Sequence, residues 1–185
     1  MKTLFLSLTI LSIGLLAFTQ FDKKTSSAST SIFDFSIQSI DGKIIDFKDF
    51  KGKKILIVNT ASKCGYTPQY KALEELYKTH KETLVIVGFP SDNFGGQEFA
   101  DNADIKEFCE KNYGVTFPLT TKVDVKGDNA TPIFKYLCSK NLNGVLDATI
   151  AWNFNKFLLD ENGNLLAYFP SKVKPDSEEI TKYLK

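Results

Sequence analysis

Ile55-Leu56-Ile57-Val58-Asn59-Thr60-Ala61-Ser62-Lys63-Cys64-Gly65-Tyr66-Thr67-Pro68 decides how this chain is read. The apolar run Ile55–Val58 suits a strand covered on both faces. A short polar turn with a single cysteine follows. Thr67 can then cap a helix, and Pro68 suits its first position. Tyr70, Leu73, Leu76 and Tyr77 recur on one face of that helix. Leu84-Val85-Ile86-Val87-Gly88-Phe89 is a second buried strand, closed by Pro90. Strand, helix and strand make a βαβ unit, expected to be parallel and right-handed. Cys64 thereby lies at the carboxyl end of a buried strand and beside a helix amino terminus. Unpaired N–H groups and the helix dipole favour a thiolate at such a place. A thiolate is both the nucleophile and the oxidisable form of cysteine.

Composition narrows the chemistry. With 23 basic and 22 acidic side chains the net charge is +1, so nothing calls for nucleic acid as a partner. The three cysteines, Cys64, Cys109 and Cys138, allow at most one internal pair. No C-x-x-C occurs, which argues against a zinc ribbon and against the usual dithiol motif. The single histidine, His80, sits in the charged stretch Lys78–Glu82 and reads as a solvated loop residue. One histidine cannot build a multi-histidine metal site, and no metal or other cofactor is expected.

Outward from the central stretch, the chain divides into three parts. Residues 1–19 carry one lysine and then the apolar run Leu4–Phe18, as in an export signal or membrane anchor. Ala17-Phe18-Thr19 is an incomplete small-x-small cleavage pattern. The expected location is extracytoplasmic, periplasmic or secreted, with a membrane-anchored or a cytoplasmic protein as alternatives. Residues 20–31 read as a linker. Residues 32–185 form one domain, which opens on a hairpin around Asp41-Gly42. Ala103–Lys111 reads as helical, with Ile105, Phe108 and Cys109 near one face. Val115–Lys122 reads as irregular, Val123–Val125 as a short strand and Ile133–Cys138 as a helix. Phe154–Asp160 and Leu165–Phe169 are strands joined by the turn Glu161-Asn162-Gly163. Asp176 is placed to cap a last helix, Ser177–Leu184.

In a mostly parallel sheet, sites form at the carboxyl ends of the strands. Cys64 follows one strand there, and Gln97 lies in the loop after the next. If the strand after Trp152-Asn153 runs antiparallel, its start falls on the same edge. Gln97, Trp152 and Asn153 are then neutral hydrogen-bond donors around a thiolate, suited to steadying it and a departing hydroxide.

These stretches carry a resemblance. Asn59–Thr67, Gly88-Phe89-Pro90, Phe94-Gly95-Gly96-Gln97-Glu98, Tyr113–Pro118 and Trp152–Leu158 together resemble the glutathione peroxidase family, with cysteine in place of selenocysteine. The resemblance spans nearly everything from Ile32 onward. It implies an α/β, thioredoxin-like fold with a mixed central sheet, flanking helices and an N-terminal β-hairpin. It implies Cys64, Gln97, Trp152 and Asn153 as the catalytic four, acting on hydrogen peroxide and on organic or lipid hydroperoxides. It also implies Cys109 as the resolving cysteine, because thioredoxin-using members carry theirs in that stretch. A thioredoxin-like reductant, poor use of glutathione and a monomer follow from the same likeness, since Ser139–Ile150 lacks the long insertion of the tetrameric members. Ser91-Asp92-Asn93 departs from the family's usual Cys-Asn-Gln, which bears on substrate access. The same cysteines would also serve a peroxide-sensing relay that passes its oxidation to a partner. A thiol–disulfide exchange protein is disfavoured by the missing C-x-x-C.

Overall fold

The computed structural model describes residues 30–185; the expected signal or anchor and nearly all of the linker lie outside the described residues. Ser31 caps a short helical turn, Ile32–Asp34. Its hydroxyl accepts the Phe33 N–H, and the Asp34 carboxylate accepts the Ser31 N–H. This reciprocal pairing satisfies donors that a helix start leaves open. The hairpin follows as β1 (Ser36–Gln38) against β2 (Ile44–Asp46), antiparallel.

The central strand is β3 (Lys54–Thr60). It pairs in parallel with β4 (Leu84–Pro90), after the helix α1 (Gln69–Thr79). On its other side β5 (Lys156–Leu159) runs antiparallel, followed by β6 (Leu165–Phe169). The sheet order is β4-β3-β5-β6. Alternate residues of β3 enter two different cores. Leu56 and Val58 pack with Tyr70 and Leu73 of α1 and with Ile105 and Cys109 of α2 (Asn102–Tyr113). Ile55 and Ile57 pack with Ile133 and Phe134 of α3 (Pro132–Cys138) and with the hairpin's Ile45. Both faces are covered, which is why the run carries no polar alternation. Each buried aliphatic side chain contributes about 1.5–3 kcal/mol of transfer free energy. The short helices α4 (Lys140–Asn143) and α5 (Glu178–Thr181) complete the chain. This is the expected α/β, thioredoxin-like architecture with its added hairpin.

Three local expectations are corrected. Thr67 does not cap α1; its hydroxyl accepts the Cys64 N–H (3.0 Å) and donates to Ala61 O (2.8 Å). The turn takes the side chain because the Cys64 N–H is buried and has no strand partner. Val123–Val125 forms no strand. Instead the segment before it lies along β4, with the Gly88 N–H donating to Pro118 O and the Thr120 N–H to Gly88 O, both at 2.9 Å. A side chain at 88 would displace Leu119, since a Cβ would stand 2.6 Å from its Cδ2. Finally, Ser177 rather than Asp176 takes the cap position of α5, and its hydroxyl donates to Lys174 O (2.8 Å).

Candidate active site

The carboxyl end of β3 gathers the candidate residues. Cys64 is 7 % exposed, and its Sγ accepts the Tyr66 N–H at 3.4 Å. This amide precedes α1 and points at the sulfur, as the turn-to-helix reading requires. The Gln97 loop runs beside the Cys64 turn, held by the Lys63 N–H donating to Gln97 O (2.9 Å). Glu98 adds a second tie: its Oε1 accepts the Ser62 N–H (3.2 Å) and the Phe99 N–H (2.9 Å). Burial pushes the Glu98 carboxyl above its ordinary pKa. Gly95 and Gly96 turn the loop here with φ of +69° and +62°, the left-handed region that side chains avoid.

Asn153 Nδ2 donates to Gln97 Oε1 at 3.0 Å. That bond occupies the carbonyl of Gln97 and leaves its amino group as a donor. Asn153 Oδ1 is buried with no partner, an acceptor available to a hydroxyl proton. Trp152 is 39 % exposed, and its ring lies 5.7 Å from that of Phe94. Gln97 and Asn153 are thus joined side chain to side chain. Gln97 is tied to the Cys64 turn through its backbone, and Trp152 joins the same strand end through its backbone.

The clamp behind Trp152-Asn153 was not legible as a site. Asn59, fully buried, donates from Nδ2 to Trp152 O (2.9 Å) and accepts the Asn155 N–H on Oδ1 (2.8 Å). The Phe154 N–H donates to Asn59 O at 2.6 Å. Phe154 itself has φ of +64°, rare for a bulky residue. Such a conformation costs about 1–3 kcal/mol and persists only where the surroundings enforce it. Here Asn59 and the edge-on Tyr70 ring, 5.4 Å away, do so. Asn153, which meets Gln97, is the residue just before this kink. The signal was an asparagine inside the buried strand β3, which apolar periodicity passes over.

Lys156 was also missed. It is fully buried on β5, opposite Val58, and no carboxylate lies within 4.0 Å of it among the described residues. Its Nζ donates to Val173 O (2.6 Å) and Ser171 O (3.4 Å). Burial pushes its pKa from 10.5 down to about 7. The unfolded chain therefore holds the extra proton between those values, and this group's contribution to stability rises with pH across that window, by up to about 1.4 kcal/mol per unit. The buried Cys109 thiol and the half-buried Cys138 thiol work in the opposite sense, so the comparison must be with a variant. In urea unfolding at pH 7 and pH 9, the stability gap of wild type over Lys156→Met should grow with pH. A gap independent of pH would contradict the assignment.

Cys109 is fully buried on α2, and burial pushes its pKa up to about 12. Cys64 and Cys109 share one apolar cluster, and both are free thiols. Cys138 packs beside the other core, as expected for a structural thiol. Of the departing residues, Asp92 is paired with Lys122 (3.2 Å), and Asn93 Oδ1 accepts the Val125 N–H (2.7 Å). Ser91 is buried and accepts the Asn93 N–H (3.4 Å). These residues anchor the loop.

A thiol held by a turn at the end of a central strand, in this fold, defines a thioredoxin-like redox protein. Comparison makes the assignment narrower. The glutathione peroxidase family model matches residues 32–138. A glutathione peroxidase-like peroxiredoxin of Chlamydomonas reinhardtii is 49% identical over 160 residues, covering 85% of this chain and 98% of that protein. A hydroperoxy fatty acid reductase of Synechocystis is 45% identical over 170 residues, covering 86% and 99%. The crystal structure of Trgpx in apo form superposes with a TM-score of 0.65 at 35% identity, over 85% of this chain and 97% of that one. The chain belongs to the glutathione peroxidase family and is a peroxidase.

Proposed function

We propose that the protein reduces hydroperoxides through Cys64 and is recycled by a thioredoxin-like dithiol protein. The Cys64 thiolate attacks the distal oxygen of ROOH. The O–O bond breaks, ROH leaves with a proton, and Cys64 becomes a sulfenic acid. The amino group of Gln97 and the indole N–H of Trp152 serve as the neutral donors to the sulfur and the departing oxygen. Cys109 then condenses with the sulfenic acid, giving a Cys64–Cys109 disulfide and water. A reduced dithiol restores both thiols and leaves oxidised itself. The observation that carries this reading is the Gln97–Asn153 amide pair, fixed on the strand edge where the Cys64 sulfur lies.

Cys109 is poorly placed to attack from where it rests, because it is fully buried and that burial disfavours its thiolate. The helix that holds it is suited to opening. Its cap residue Asp101 makes no side-chain bond to the helix start, a deficit worth about 1 kcal/mol. Only Ile105 and Cys109 of its 12 residues are buried. The resolving step is therefore assigned to a locally opened α2.

The test is steady-state turnover. With NADPH, a thioredoxin reductase and a thioredoxin-like protein, the purified chain should consume hydrogen peroxide or cumene hydroperoxide over many cycles, and glutathione should support far less. Consumption that stops after one equivalent under those conditions would instead identify a sensor or relay.

A further inference from the structure

A second binding feature adjoins the reactive sulfur. A cleft of about 320 Å³ lies between the turn after Cys64 with the start of α1, and the segment Lys172–Asp176. Tyr66 and Ala72 line one wall, and Lys172, Lys174, Pro175 and Asp176 the other. The volume is at the lower end for small-molecule sites, enough for part of an extended chain.

The lysine wall is built rather than incidental. Ser171, Val173 and Pro175 are buried, while Lys172, Lys174 and Asp176 alternate with them and are exposed. Three bonds hold the inward positions. Gln69 Nε2 donates to Ser171 O (2.8 Å), and the buried Lys156 donates to Val173 O and Ser171 O. The alternation forces Lys172 and Lys174 outward on one side. Among the described residues, neither lies within 4.0 Å of a carboxylate. Asp176 offsets one of the two charges and leaves the wall with net positive charge. The opposite wall begins at Gly65 and Tyr66, the two residues after Cys64, and the Tyr66 N–H donates to Cys64 Sγ.

We propose that this cleft is a subsite for hydroperoxides that carry a free carboxylate on an apolar chain, with Lys172 and Lys174 as its anion-binding groups. The peroxide lies at Cys64, the chain follows Tyr66, Ala72 and Pro175, and the carboxylate meets the two ammonium groups. This rests on Cys64 being the peroxide-reactive thiol. Exposed ion pairs are individually weak, so the effect is a several-fold preference rather than an absolute requirement.

The experiment compares linoleic acid hydroperoxide with its methyl ester, both as monomers in solution, for wild type and Lys172→Glu/Lys174→Glu. Wild type should favour the acid. In the double variant the acid-to-ester ratio of kcat/KM should fall by roughly threefold to tenfold. High salt should lower the wild-type ratio likewise. Equal use of acid and ester by wild type, or a parallel loss on both in the variant, would overturn the subsite. Binding of linoleate and methyl linoleate, measured by calorimetry, gives a readout free of turnover. Preference for linoleate that the double variant loses supports the cleft even if Cys64 chemistry fails. Indifference overturns the cleft even if hydrogen peroxide is turned over normally.

Discussion

Cys64→Ser is expected to lower kcat/KM for hydroperoxides by at least about a thousandfold, the scale seen when a covalent nucleophile is removed. A serine hydroxyl is nearly isosteric, and the turn that holds residue 64 uses backbone groups: its N–H donates to Thr67 Oγ1 and its carbonyl accepts the Thr67 N–H. The fold should therefore survive. An alcohol is neither ionised at neutral pH nor oxidised by peroxide, so no sulfenic acid can form. The measurement is peroxide consumption alongside thermal unfolding. A variant that unfolds normally and keeps more than a tenth of the activity would refute the assignment of Cys64.

Cys109→Ser is expected to produce a different failure. Peroxide should consume one equivalent of Cys64 and then stop, with thioredoxin-driven cycling reduced by roughly a hundredfold or more, as expected when a covalent step loses its nucleophile. Without a resolving thiol, further peroxide should carry Cys64 on to sulfinic acid. Stability should change little, because serine fills nearly the same volume, although it must place a hydroxyl among Leu73, Ile105 and Phe117 in that core. Undiminished cycling would show that the reductant attacks the Cys64 sulfenic acid directly. The two variants together separate the chemical step from the recycling step.

The parts of the molecule that repeat at short range were legible in the chain. The unbroken run of β3 marks a strand with both faces buried, and Leu56 and Ile57 do face different cores. The Glu161-Asn162-Gly163 turn was equally plain. Gly163 has φ of +82°, and Asp160 Oδ1 accepts the Asn162 and Asn164 N–H groups (2.9 and 2.7 Å). The place of Cys64, after a strand and before a helix, was legible as well. What escaped depends on contacts distant in the chain. Asn59 reaches across 93 and 96 positions to hold Trp152 and Asn155. The left-handed Phe154 has no local signature, since phenylalanine does not favour that conformation. Lys156 looks like a solvated strand residue until the carbonyls of Ser171 and Val173 are seen around it. Thr67 was misassigned for a related reason. A threonine ahead of a proline fits a helix cap, but here a buried N–H three residues back competes for it and wins.

The same distinction runs through the site. The resemblance pointed to Gln97 and Asn153 separately, whereas the 3.0 Å bond between them explains why both are amides. A carboxylate at either position would bring a negative charge into that pair. Cys109 is harder to read from sequence, because its placement on an apolar helix face is that of a core residue. Its proposed role depends on a motion that the reduced, closed α2 does not display.

Mass spectrometry of the wild-type protein after one equivalent of hydrogen peroxide tests the central claim most directly. The account predicts a peptide pair linked through Cys64 and Cys109, with Cys138 still a free thiol. Oxidation confined to Cys64 with Cys109 unlinked, or a disulfide that uses Cys138, would contradict it.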